Sequence, residues 1–84
     1  MQQLSEVYAK EYMEKVFYSC LKKTGNSHEA EDLTSDISVC IFAELKKGRM
    51  PEHFHAWVWR IARNRYSVWA DKKRKELSLF TEQT

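Results

Sequence analysis

The stretch HFHAWVWRIARNRY, residues 53–66, decides the fold, because it holds more apolar side chains than one face of a helix can take. Trp57 and Trp59 lie two positions apart, and residues two apart cannot share a side of an α-helix. The segment is therefore either a strand or a helix that is apolar on more than one side. On a helical wheel, one apolar set falls within about 140° of arc and predicts a helix packed on a core. This predicted core set is Phe54, Trp57, Val58, Ile61, Ala62, Val68 and Trp69.

The opposite side of this predicted helix is aromatic and basic. Arginine and lysine bind phosphates, and exposed rings stack on unpaired bases, so this side has the chemistry to bind single-stranded nucleic acid. A structural interpretation stays equally open, in which Trp59 and Tyr66 pack under a neighbouring helix and the arginines are only solvated. The side consists of Trp59, Arg60, Arg63, Tyr66 and Ser67, and Lys73 continues it.

Chain breaks on either side of a second amphipathic stretch predict an all-α fold. Only two glycines and one proline interrupt the 84 residues, which favours helices. Breaks at residues 24–27 and 48–51 predict a second helix over about residues 28–47 and a third over about 52–77. We expect a compact bundle of three main helices over residues 1–77. The remaining residues, 78–84, are predicted to form a frayed tail or the start of a linker.

The first predicted helix has an irregular beginning. Its apolar stripe from Ala9 to Leu21 repeats every three or four residues, but Leu4, Val7 and Tyr8 fall off that stripe. The first segment is therefore expected to bend, or to consist of two short helices that meet near residues 8–10, which would give four helices in all.

The second predicted helix also has two apolar sides. Its core stripe leaves Val39 and Phe42 on the opposite side, beside Asp32, Ser35 and Asp36. Either a small domain buries both sides of this central helix, or the second side is an apolar partner surface with an acidic rim. The predicted core stripe is Ala30, Leu33, Ile37, Cys40 and Ile41.

Charge is distributed unevenly along the chain. Residues 1–42 hold four Lys or Arg against seven Asp or Glu, whereas residues 43–84 hold ten against five. A basic segment attracts polyanions, and an acidic one can bind a basic protein. The sequence contains neither an apolar run of membrane-spanning length nor a basic start followed by an apolar run, so we expect a soluble, cytoplasmic protein without a membrane contact.

Motifs for catalysis and metal binding are missing from the sequence. It has no glycine-rich phosphate loop, no G-x-S-x-G and no H-E-x-x-H, and its acidic residues are typical of solvated helix starts. Cys20 and Cys40 do not form a C-x-x-C pair, and we interpret them as reduced packing residues. We therefore predict no enzymatic activity, no catalytic residue, no metal and no cofactor.

Three strings in the sequence resemble the sigma-70 family of bacterial sigma factors. AEDLTSD (30–36) and FHAWVWRIARNRY (54–66), which is followed by KKRK (72–75), are similar to the A-E-D-L-V-Q-E and F-R-A-W-L-Y-R-I-A-R-N patterns of the extracytoplasmic-function (ECF) group. LKKTGNSHEAEDL (21–33) also matches the family pattern. The resemblance covers about residues 8–76 and implies region 2 of a sigma factor, an all-helical domain.

The resemblance implies two binding surfaces. Region 2 docks on the clamp helices of the largest subunit of core RNA polymerase, through residues that correspond here to Asp32, Ser35, Asp36, Val39 and Phe42. It also captures the non-template strand of the minus-ten promoter element during initiation. The residues implied for DNA binding are Arg49 and His53 in the loop, and Trp59, Arg60, Arg63, Asn64, Tyr66, Ser67, Lys72 and Lys73 on the third helix.

The sequence departs from the family pattern at three positions. Ser35 replaces a glutamine, Val68 replaces a frequent aspartate, and Tyr66 stands where many members carry a small residue. The helix-turn-helix domain of this family has no counterpart in these residues, which favours a fragment or an atypically short member. The alternative function is a protein-interaction module of the same fold, bound by an anti-sigma factor or self-associating, without productive promoter binding.

Overall fold

The fold was analysed in a computed structural model, which describes residues 3–82. Four α-helices and one π-helical turn follow one another along the chain, and the described residues contain no strand. The predicted all-α bundle is confirmed. The elements are α1 (Leu4–Val7), the π turn (Tyr8–Tyr12), α2 (Met13–Thr24), α3 (Ser27–Lys46) and α4 (Phe54–Glu82).

The π turn is the irregularity that we expected near residues 8–10. A π turn is wider than an α-helical turn, so it changes the direction in which the preceding residues point. Tyr8, which lies off the α2 stripe, is thereby fully buried. Its hydroxyl shares a 2.8 Å hydrogen bond with the Ser38 hydroxyl, and its ring meets Phe42 edge-on at 5.5 Å. Burial raises the pKa of Tyr8 above its ordinary value.

The turn between α2 and α3 agrees with the predicted break. Gly25 ends α2 in the left-handed region at φ 70°, and its N–H donates to the Leu21 carbonyl at 2.8 Å. The side chain of Asn26 then caps α3, because its Oδ1 accepts from the N–H groups of His28 and Glu29 at 2.8 and 3.1 Å. This pair of caps places α2 and α3 side by side.

The core lies where α2, α3 and α4 meet. The predicted α3 stripe is correct except at Cys40, which is only half-buried because it lies at the edge of the contact with α4. Both cysteines are free thiols. The buried apolar residues are Tyr8, Val16, Cys20, Ala30, Leu33, Ile37, Ile41, Trp57, Val58 and Ala62.

The buried side of α4 is rotated relative to the predicted one. Val58 and Ala62 are fully buried, whereas Val68, which we placed in the core, is 49% exposed. The buried arc extends toward Tyr66 and does not reach Val68. The cause is that the polar residue Tyr66 packs inward along with the apolar ones.

The ends of α4 also differ from the prediction. The helix begins at Phe54 rather than near residue 52, and it continues to Glu82 rather than ending near Leu77. A domain boundary at residue 77 stays a prediction, and residues 83 and 84 of the predicted tail lie outside the described residues. None of the described helices is both long and apolar enough to cross a membrane.

Candidate nucleic-acid interface

The loop between α3 and α4 is held against the end of α3. Gly48 turns the chain at φ 91°, a backbone conformation that favours glycine. The guanidinium of Arg49 then donates from Nε to Glu44 at 3.1 Å, while Met50 next to it is 85% exposed. The His53 carbonyl accepts from the N–H of Trp57 at 3.0 Å and leads the chain into α4. The loop is thereby positioned beside the first turns of α4.

A cleft of about 410 Å³ lies between this loop and α4, and we call it the basic cleft. Four of the predicted DNA-binding residues line it: Arg49 and His53 from the loop, and Arg60 and Arg63 from α4. The structure therefore brings together residues that lie up to fourteen positions apart in the sequence. The other lining residues are Met50, Pro51, Glu52, Ala56 and Trp57.

Arg60 and Arg63 lie on a single exposed side of α4 together with Asn64 and Ser67. These positions are three and four residues apart, the spacing that aligns side chains on a helix. Neither arginine has an ion pair or a side-chain hydrogen bond within the part of the chain that the structure describes. Their guanidinium groups are therefore available to bind phosphate oxygens.

Tyr66 does not lie on that side. It is half-buried against α2, where its hydroxyl donates to the Ser19 hydroxyl at 2.7 Å. The Lys23 ammonium lies 5.8 Å from the centre of its ring. Burial raises the pKa of Tyr66, and the hydrogen bond to Ser19 opposes part of that shift. The expectation that Tyr66 points outward is wrong, and for this residue the structural interpretation describes the packing.

Trp59 is half-buried as well, at the edge between α4 and the π turn. Its ring meets His55 at 6.3 Å, and the His55 Nδ1 is hydrogen bonded to the Tyr12 hydroxyl at 3.2 Å. Trp59 thus points away from the basic cleft rather than into it. The expected fully outward position is wrong, although part of the ring stays accessible.

Trp57 is the tryptophan that reaches the basic cleft. We assigned it to the core, and it is only 7% exposed, yet its remaining surface lines the cleft beside Arg60. The wheel offered no signal for this position, because a core residue at the border of a cleft has the same apolar periodicity as any other core residue.

Two predicted basic residues lie farther along α4. Lys72 is exposed, but the Lys73 ammonium binds the carboxylate of Glu29 on α3. That hydrogen bond raises the pKa of Lys73. From Arg63 to Lys72 the helix rises by about 13 Å, so these lysines are separate from the basic cleft.

The residues predicted to bind polymerase divide into two groups. Asp32, Ser35 and Val39 are exposed on the outer side of α3, which we call the α3 face, and Val39 is 65% exposed. Phe42 instead packs half-buried against Tyr8. Asp36 binds Arg65, whose Nε and Nη2 both lie 2.7 Å from the same carboxylate oxygen.

Arg65 is a residue that the sequence analysis did not select. On the wheel it falls inside the arc of the predicted core set, and it was left out of that set because its side chain is charged. Only the approach of α3 shows its partner, since Asp36 lies 29 positions earlier in the chain. No group of three His, Cys, Asp or Glu side chains that could hold a metal occurs among the described residues.

Comparison with known proteins adds a family to this geometry. The family described as Sigma-70 region 2 matches residues 8–76. The chain is also 30% identical over 53 residues to the ECF RNA polymerase sigma factor SigW of Bacillus subtilis (strain 168). That match covers 63% of this chain and 28% of the relative, so the chain spans less than a third of that protein. No solved structure matches the chain.

Proposed function

This chain belongs to the sigma-70 region 2 family, and on that premise we propose that it docks on core RNA polymerase and binds the non-template strand of the minus-ten promoter element. Sigma factors are transcription initiation factors and not enzymes, in agreement with the predicted lack of enzymatic activity. Because the partner is a bacterial polymerase, the proposed location is the cytoplasm.

The proposed DNA site is the basic cleft. Its support is that Arg60 and Arg63 are exposed and form no ion pair with the described residues, while the loop supplies Arg49 and His53 on the opposite wall. Each phosphate bound in a single strand adds about 0.7 to the steepness with which the logarithm of the affinity falls against the logarithm of the salt concentration, and we call this steepness the salt slope. An aromatic ring that stacks on a base contributes roughly 1–3 kcal/mol, and the candidate is the accessible part of the Trp59 ring, which lies outside the cleft on the same helix.

The proposed polymerase site is the α3 face. Val39 offers exposed apolar surface, and Asp32 supplies a carboxylate about two turns away on the same side of α3. Such a surface suits a partner that presents apolar and basic side chains, and we propose the clamp helices of the largest subunit as that partner. This face and the basic cleft belong to different helices, so both partners can bind at the same time.

The observation that carries the proposal is that Arg60 and Arg63 line the basic cleft and form no ion pair with the described residues. The test measures the fluorescence anisotropy of a labelled single strand with a minus-ten-like sequence, with and without core polymerase. R60Q/R63Q is expected to bind roughly tenfold more weakly, with a salt slope smaller by about 0.7 for each lost contact. Equal binding by the wild type and this variant in both arms would falsify the DNA role.

The docking half of the proposal has its own measurement. V39D places a carboxylate on the α3 face and is expected to weaken binding to core polymerase by tenfold or more while leaving oligonucleotide binding unchanged. E31Q is the control, since Glu31 is exposed on α3 but lines a cleft toward α2. If binding to a protein partner does not change with salt concentration and is equally tight in R60Q/R63Q, the protein-interaction module is favoured instead.

A further inference from the structure

Among the described residues, two ion pairs join α3 to α4, and they differ in position. Near one end Lys73 binds Glu29, and near the other Arg65 binds Asp36. The guanidinium of Arg65 makes two contacts of 2.7 Å to one carboxylate oxygen, the arrangement of a strong charge-assisted hydrogen bond. The pair is only partly buried, with the side chains of Arg65 and Asp36 exposed by 32% and 43%. Solvent and other ions can therefore compete for either partner.

Arg65 lies within reach of the proposed DNA site. It lines a cleft of about 320 Å³ that shares Arg49, Trp57 and Arg60 with the basic cleft. Asn64 and Cys40 also line this second cleft. A guanidinium released from Asp36 would have the length to turn toward a strand held by Arg60, because the two arginines already border one cleft.

Asp36 lies at the border of the α3 face. It is one helical turn from Asp32 and three residues from Val39, so a partner that covers those two residues also reaches Asp36. A cationic side chain of that partner would compete with Arg65 for the carboxylate. The single salt bridge thus connects the two surfaces that bind different partners.

We propose that Arg65 is a further phosphate-binding residue, which Asp36 holds back in the free protein and a cationic partner group at Asp36 releases. The inference rests on the proposed function, because the released arginine acts on the strand in the basic cleft. Linkage is reciprocal, so a strand that binds Arg65 also frees Asp36 for the partner by the same factor. A partly exposed ion pair limits that factor to about five.

The test compares D36N with D32N in oligonucleotide binding by the whole 84-residue chain. Both variants remove one negative charge from α3, but Asp32 has no ion pair within the described residues, so D32N measures the general effect of charge. D36N is expected to bind the labelled single strand two to five times more tightly than D32N at low salt. Its salt slope should rise by about 0.7, the value for one added phosphate contact.

R65Q completes the comparison. Alone it should change the affinity of the free protein little, because Arg65 is engaged, while in the D36N background it should remove the whole gain. Equal gains in D36N and D32N, or a gain that persists in D36N/R65Q, would overturn the inference. If D36N does not fold, judged by its circular dichroism, R65Q alone decides: a loss as large as that of R60Q shows that Arg65 is already free. Failure of every protein, wild type included, to bind the strand with or without core polymerase would instead reject the proposed function, and this inference with it.

Discussion

The two halves of α4 both carry cations but differ in how these cations are paired. In the first half, Arg60 and Arg63 face solvent without a carboxylate partner among the described residues. In the second half, Lys73 binds Glu29 and Arg74 binds Asp71 at 2.7 Å. The sequence is more densely basic in the second half, but the free guanidinium groups are in the first. The comparison teaches that a binding surface depends on which charges are unpaired, and not on how many there are.

The largest expected effect concerns packing, which also differs between the halves. Val58 in the first half is fully buried, and Val68 farther along is 49% exposed. V58A should lower the free energy of unfolding by about 2 kcal/mol, whereas V68A should lower it by about 0.5 kcal/mol, because only the first leaves a cavity. Urea denaturation of the two variants measures both values. Equal losses would mean that the rotated register of α4 is incorrect.

The next effect concerns the paired cations. K73Q/R74Q removes as much positive charge as R60Q/R63Q, but its cations already have carboxylate partners. We expect it to weaken oligonucleotide binding by less than about threefold, against roughly tenfold for the first-half variant. Anisotropy titrations at several salt concentrations compare them directly. A loss as large as that of R60Q/R63Q would contradict the distinction between paired and unpaired cations.

A third prediction separates packing from binding at one residue. Y66F removes the hydroxyl that donates to Ser19 and should lower the free energy of unfolding by about 1 kcal/mol. Oligonucleotide affinity should stay unchanged, because Tyr66 lies against α2 and outside the basic cleft. Thermal unfolding and anisotropy measure the two quantities on one sample. Weaker binding with unchanged stability would return Tyr66 to the DNA surface.

The smallest effect is a dependence of stability on pH. Burial raises the pKa of Cys20 above 9.0 and those of Tyr8 and Tyr66 above 10.0. Below those values both the folded and the unfolded state keep these protons, so the stability is complete. As pH rises above about 9, the unfolded state loses its protons first and is favoured.

Urea unfolding between about pH 8 and 11 measures this decline in the free energy of unfolding. The range brackets the ordinary pKa values of cysteine and tyrosine, about 9 and 10. The decline should be shallower in Y66F, which lacks one of the three groups. Y18F is the matched control, because Tyr18 is 56% exposed. An identical decline in Y66F and the wild type would contradict the assignment of Tyr66 to the α2 contact.

Much of the fold could be predicted because its determinants are local. The stop at Gly25, the cap at Asn26 and the stripe of α3 depend on residues within a few positions of one another. The irregular start was also visible, since Tyr8 did not fit the stripe, although the sequence did not show that a π turn would bury it. The end of α4 was predicted too early, because residues 78–82, which we expected to form a frayed tail, continue the helix.

The candidate site was predicted in part. Arg49, His53, Arg60 and Arg63 were selected from the sequence, and the structure brings them to one cleft. The predicted outward orientations of Trp59 and Tyr66 were wrong, because amphipathic rings can pack inward while their polar atoms form hydrogen bonds. Ser19, the partner of Tyr66, lies 47 positions earlier in the chain, and no periodicity connects them.

Residue pattern alone was sufficient to predict the helical class, the chain breaks and the sigma-70 region 2 family. Helix periodicity, capping and motif spacing are properties of neighbouring residues. The docking of α4 on α2 and α3 settled which of its sides is buried and which of its cations are free. Charge pairing depends on atoms a few ångströms apart, such as those of Arg65 and Asp36, and that proximity exists only after the helices have packed.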